Sequence, residues 1–153
     1  MKPLRYRTAV LVPALLLALI PALCAAPPAL ARGCAARLVD GWVRLPPAQM
    51  PMMAGFGRIE NRCPQPIVIV GVSSPAFGDS SLHETRIVDG VSRMRALPEL
   101  RIAPDAAATL KPGGMHLMLM QPHAPLKPGS KVVVEFALKD GGVLRGELEA
   151  RKP

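Results

Sequence analysis

The feature that most constrains the fold is a series of short stretches in which polar and apolar residues alternate, separated by Gly, Pro and Asp turns. Alternation with a period of two residues is the pattern of a half-buried β-strand. After residue 31, eight or nine such stretches follow at nearly regular spacing, and none shows a sustained helical period. We therefore predict an all-β domain, an antiparallel Greek-key β-sandwich.

Residues 1–31 have the layout of a secretory signal peptide. Three positive residues precede an uncharged apolar run from Ala9 to Leu23, and Ala29-Leu30-Ala31 supplies small residues for cleavage. The run is shorter than the ~20 residues that a membrane span needs, although a retained anchor is an alternative. A lipoprotein cut before Cys24 is another, but Leu23 stands where a small residue is expected. We predict a signal peptide over 1–31, a domain over 32–153 without a membrane span, and a periplasmic location.

Charge and cysteine content narrow the partners further. Removing residues 1–31 lowers the formal net charge from +8 to +5, because that segment carries three Lys/Arg and no Asp or Glu. The basic residues are scattered, with no stripe of basic residues and stacking rings, so nucleic acid is not an expected partner. Cys34 and Cys63 remain after cleavage, and in an oxidising compartment such a pair predicts a disulfide. A two-thiolate metal site is the alternative, without CxxC spacing to support it.

One hairpin brings a histidine and a methionine to the same face. Asp89-Gly90 is a strong signal for a two-residue hairpin turn, and it sets Thr85 opposite Met94. His83 then lies on the same face as Met94, as its diagonal neighbour. The opposite face of this hairpin carries charged residues and is expected to be solvated.

A second His–Met pair lies on the segment from Met115 to Met120. Alternation puts His116, Met118 and Met120 on one face of that strand. If the strand lies beside the hairpin, His83, Met94, His116 and Met118 supply two imidazoles and two thioethers. Thioethers are soft ligands that select copper(I), whereas magnesium and calcium prefer carboxylates. The alternative is that these methionines fill a core that is poor in aromatic residues.

The spacing of these four residues, H-x10-M-x21-H-x-M, resembles the signature of the PCu(A)C-type periplasmic copper chaperones. The surrounding sequence is also similar, including Leu82–Thr85, Gly90–Arg95, Leu110–Met120 and Gly41–Arg44. The resemblance implies a cupredoxin-like sandwich that holds copper(I) with His83, Met94, His116 and Met118. It also implies delivery to the copper centres of respiratory oxidases, so that an oxidase copper-site subunit or another copper chaperone is an expected partner.

Two features depart from that family pattern. Some relatives carry a His- and Met-rich C-terminal tail with a second copper site, and the ending at Pro153 predicts that this site is missing. Met50, Met52 and Met53 form an extra cluster, which either shelters the site, hands metal on, or is an ordinary apolar loop. His123 lies in a Pro-rich loop and is expected at the surface.

Several functions compete on this fold. No nucleophile with a nearby base is evident, so we predict that the chain is not an enzyme. A blue-copper electron carrier needs a cysteine close to its His and Met ligands, but Cys34 and Cys63 lie far upstream of His116. Copper storage or resistance without a dedicated client remains an alternative to delivery, as does a structural β-sandwich whose His and Met residues are incidental.

Overall fold

A computed structural model describes residues 36–48 and 50–152 of the chain. The predicted signal peptide and Cys34 lie outside these ranges, and their assignments stay predictions. Every regular element within the two ranges is a strand, and these ranges contain no helix that could cross a membrane. The ten strands are β1 (Arg37–Arg44), β2 (Met52–Glu60), β3 (Ile67–Ser73), β4 (Phe77–Val88), β5 (Val91–Ala96), β6 (Leu100–Ile102), β7 (Ala107–Leu110), β8 (Met115–Pro122), β9 (Lys131–Leu138) and β10 (Val143–Arg151).

The strands form one continuous path in the order β5-β4-β8-β2-β1-β10-β9-β3-β6, and β7 pairs with β2. The all-β fold that the alternation predicts is confirmed. All but one of the strand pairs are antiparallel, and the exception is β1, which runs parallel to β10. The sheet is therefore mixed rather than purely antiparallel. The sequence did not predict the parallel pair, because an alternating pattern identifies a strand but not the direction of its partner.

The core forms where the two halves of the path face each other. Leu82, Leu117 and Leu119 of the β4–β8 half belong to the same buried cluster as Val134 and Phe136 of β9. Alternation along β8 then places His116, Met118 and Met120 on the opposite side of the sheet from Leu117 and Leu119. The predicted ligands consequently lie on the outer face of the sheet, on the side away from the core.

An irregularity in β1 changes which side chains reach this outer face. The pairing of β1 with β2 shifts between Val39 and Trp42, where Asp40 takes a positive φ of 53°. Leu38 packs against the core before the shift, and Val43 is fully buried after it. These two residues are an odd number of positions apart, so the extra residue of the bulge reverses the alternation. Trp42 is thereby turned to the face that carries the predicted ligands.

The cysteine chemistry is settled in part. Cys63 is buried in the turn that follows β2 and is disulfide-bonded. A sulfur held in a disulfide is not available as a thiolate ligand, so the two-thiolate metal site is wrong. The pairing with Cys34 stays a prediction, since that residue lies outside the described ranges.

Candidate metal centre

The β4–β5 hairpin has the register that its turn predicts. Asp89 and Gly90 both have positive φ, which is the conformation of a tight two-residue hairpin turn. Thr85 lies opposite Met94, and His83 lies opposite Ala96. The side chains of His83 and Met94 therefore project from the same face as diagonal neighbours, as expected.

Strand β8 lies beside β4 and brings in the second pair. His83 is directly opposite His116, and Ser81 is directly opposite Met118. The two imidazole centroids are 6.1 Å apart. A metal ion bound at a ring nitrogen lies ~3 Å from the ring centre, given metal–nitrogen bonds of ~2 Å. The separation of the two ring centres does not exceed about twice this distance, so a single ion can reach both rings.

His116 is oriented by the backbone of the preceding turn. Its Nδ1 is 3.0 Å from the Gly114 carbonyl oxygen, to which it donates a hydrogen bond. The same carbonyl accepts the backbone N–H of Thr85, at 3.1 Å, so its position is tied to β4. A proton on Nδ1 leaves the lone pair on Nε2, which is the usual arrangement of a metal-binding histidine.

His83 carries a polar atom with no protein partner. Its Nε2 lies 3.1 Å from Ser81 Oγ, whereas its Nδ1 is buried without a hydrogen bond. Burial lowers the pKa of this imidazole and the nearby His116 lowers it further, although the Asp79 carboxylate acts in the opposite direction. The lowered pKa favours the neutral form of this ring. A buried, neutral, unpaired imidazole nitrogen destabilises the protein unless a ligand reaches it.

The two predicted methionine ligands lie outside the hydrophobic core. Neither Met94 nor Met118 is part of the core cluster, whereas Met53 and Met115 pack against it. Met94 is 51% exposed on the edge strand β5. The interpretation that Met94 and Met118 fill the core is therefore wrong, and it holds instead for Met53 and Met115.

An aromatic wall borders the site on the side of β2 and β1. The Phe56 ring lies 6.5 Å from His116 and 4.6 Å from Trp42, measured between centroids. The Arg44 guanidinium carbon is 5.1 Å from the Phe56 centroid and 5.8 Å from that of Trp42, within cation–π range. This wall helps to keep His116 only 8% exposed. Sequence reasoning missed it, because the bulge that turns Trp42 outward carries no clear sequence signal.

Other His and Met residues lie away from the four. His123 is exposed, as expected, and its Nδ1 donates a hydrogen bond to the Pro75 carbonyl over 3.1 Å. Met50 is exposed too, and lines a proline-rich groove together with Met53 and His123. Within the part of the chain that the structure describes, no three His, Cys, Asp or Glu residues are grouped as metal ligands.

Comparison with known proteins finds a family model and a relative that are both named as lipoproteins. Residues 37–149 match the model of the LpqE-like lipoprotein family. Lxx21020 of Leifsonia xyli subsp. xyli, a protein named as a lipoprotein, is 37% identical over 101 residues, which are 65% of this chain and 60% of the relative. The matched region thus spans about three fifths of that relative's length.

Solved structures share the fold. The apo form of DR1885 from Deinococcus radiodurans is 26% identical, with a TM-score of 0.61 over 100% of this chain and 95% of that chain. Its copper(I) form is 28% identical, with a TM-score of 0.60 over 79% and 83% of the two chains. The copper-bound PCuAC domain from PmoF2 is 17% identical, with a TM-score of 0.61 over 76% and 92%, a likeness of fold alone. The expected cupredoxin-like class is confirmed.

Proposed function

Because this chain belongs to the LpqE-like family, which is the family of PCuAC domains, we propose that it is a copper(I) chaperone that carries one ion on His83, Met94, His116 and Met118. The observation that carries the proposal is the unpaired, buried Nδ1 of His83 on a ring that faces His116. Two methionines that the core does not use flank this histidine pair. The two imidazoles and two thioethers therefore suit a soft metal ion, and binding of that ion would give the unpaired His83 Nδ1 a partner.

The chemistry of the four side chains favours copper(I) over harder ions. Thioethers and neutral imidazoles carry no charge, so a monovalent ion leaves the site with a single positive charge instead of two. Thioethers have no proton to lose, and burial next to His116 lowers the pKa of His83, which favours the neutral imidazole that binds a metal ion. The copper(I) form of DR1885 supports this oxidation state for the proposed cargo.

Location on the outer face suits a carrier better than an enzyme. A carrier must release its ion to another protein, and Met94 at the exposed edge offers a point where an incoming ligand can displace one of the four.

The lipoprotein names of the family and of the Leifsonia relative support export, in line with the periplasmic location that we propose. We further propose that the clients are the copper centres of respiratory oxidases. Storage or resistance without a dedicated client is the second candidate.

Copper stoichiometry tests the binding proposal. Anaerobic titration of the secreted protein against a chromophoric copper(I) chelator is expected to show one tight equivalent per chain. Trp42, the only tryptophan, lies one ring away from His116, so its emission provides an independent measure of occupancy. Zero tight equivalents would favour a structural β-sandwich with incidental His and Met residues, and two would contradict a single four-ligand site.

Delivery is tested in cells. Deletion of the gene is expected to leave a respiratory oxidase with less copper and less activity, and added copper should restore both. The Met118→Leu variant should fail to complement the deletion at limiting copper, because it cannot hold the ion tightly. Normal oxidase copper together with increased sensitivity to copper would instead identify a storage or resistance role.

A further inference from the structure

The line of soft side chains continues beyond the four predicted ligands. Met120 follows Met118 on the same face of β8, and Met52 of β2 lies directly opposite Met120. On the other side of Met120, β4 places Asp79 directly opposite it. Two thioethers and a carboxylate therefore share one row of the sheet, two residues along β8 from the row that contains Met118.

Packing does not account for these two methionines. Met52 is 40% exposed, and neither Met52 nor Met120 belongs to the core cluster. Their neighbour Met53 points the other way and packs against that cluster. On β2, Met53 thus packs against the core, whereas its neighbour Met52 is exposed on the outer face, opposite Met120.

We propose that Met52 and Met120 form a second, weaker copper(I) site that exchanges its ion with the four-ligand site through Met118. Directly opposed residues have Cβ atoms ~5 Å apart, and Met118 and Met120 are separated by ~6.6 Å along the strand. The long, flexible methionine side chain spans such gaps. The sulfur atoms of Met52 and Met120 can thus converge on one ion, and Met118 is within reach of that ion only while it moves between the two sites.

The exchange is a ligand substitution with no redox step. The bonds from copper to the two imidazoles and Met94 break, and the bond to Met118 is retained until bonds to Met120 and Met52 have formed. Copper remains monovalent, no proton is transferred, and the Asp79 carboxylate favours the cation electrostatically. The exchange step rests on the proposed function, whereas the second site does not require it.

Silver(I), a soft and redox-inert ion, is the probe for this site. Methyl NMR of the secreted protein labelled at its methionines is expected to show two phases. The first equivalent should shift the Met94 and Met118 methyl signals, and a second, weaker equivalent should shift those of Met52 and Met120. Met52→Leu should abolish the second phase, while the matched control Met53→Leu, its neighbour on the core face, should retain both. Leucine conserves the volume, so folding is preserved.

Copper transfer gives a second measurement. From protein loaded with one equivalent of copper(I), transfer to excess chelator is expected to slow at least about threefold in Met52→Leu relative to Met53→Leu. Absence of a second silver phase, together with equal transfer rates in the two variants, would overturn the second site and leave the four-ligand site standing. A response of Met52 and Met120 without any response of Met94 and Met118 would instead overturn the proposed function and retain this site.

Discussion

Replacing Met118 by leucine is expected to weaken copper(I) binding by at least about tenfold, or ~1.4 kcal/mol, without a comparable loss of folding stability. Met118 lies on the outer face opposite Ser81 and outside the core cluster. Leucine has a similar volume but no sulfur, so the substitution removes a ligand and little packing. Met94→Leu on the exposed edge strand should behave in the same way. Competition with a copper(I) chelator measures the affinity, and urea unfolding of the apo protein measures the stability.

Two controls separate ligand loss from general disturbance. Met115→Leu changes a methionine of the same strand that packs against the core, and His123→Ala removes an exposed histidine outside the site. Both are expected to keep wild-type affinity. Unchanged affinity in both Met94→Leu and Met118→Leu would show that these residues are not ligands.

Leu117, the neighbour of Met118 on β8, should affect stability and not copper affinity. Leu117 is fully buried in the core cluster, and Leu117→Ala is expected to lower the free energy of unfolding by ~2–5 kcal/mol, through lost burial and the cavity left behind. The folded fraction should keep its copper affinity, because the outer face is unchanged. Urea unfolding with and without copper measures both properties, since a ligand that binds only the folded state raises the midpoint.

A milder variant keeps this prediction testable if the alanine protein does not fold. Leu117→Ile conserves volume and should cost less than about 1.5 kcal/mol. If a Leu117 variant that remains folded binds copper as poorly as Met118→Leu, then the core and the metal site are coupled. A loss of stability alone in the Leu117 variants, and of copper affinity alone in Met118→Leu, would instead show that the two faces of β8 act independently.

This separation of the two faces bears on the proposed hand-over of copper. Ligands buried within the core would require the sandwich to open before the ion could leave. On the outer face the partly sheltered histidine pair lies between two more exposed methionines, Met94 on β5 and Met52 on β2. An incoming ligand can approach either end while the core stays closed. Stability and metal exchange can therefore change independently.

The sequence by itself determined the strands and the local geometry within them. The Asp89-Gly90 turn sets the β4–β5 register, because a two-residue turn with positive φ leaves one pairing, Thr85 with Met94. Alternation likewise decides that His116 and Met118 share a face. These are contacts within one strand or one hairpin, so a few neighbouring residues are enough to specify them. The His–Met spacing, on which the copper prediction rests, is visible at the same level.

Only the tertiary structure decided what those local pieces face. The pairing of β4 with β8 sets His83 opposite His116, and the parallel pairing of β1 with β10 makes the sheet mixed. The bulge in β1 brings Trp42 to Phe56, and packing from several strands leaves His83 Nδ1 buried without a partner. These features depend on residues far apart in sequence, whose pairing is selected by burial of the whole core, so no local pattern specifies them.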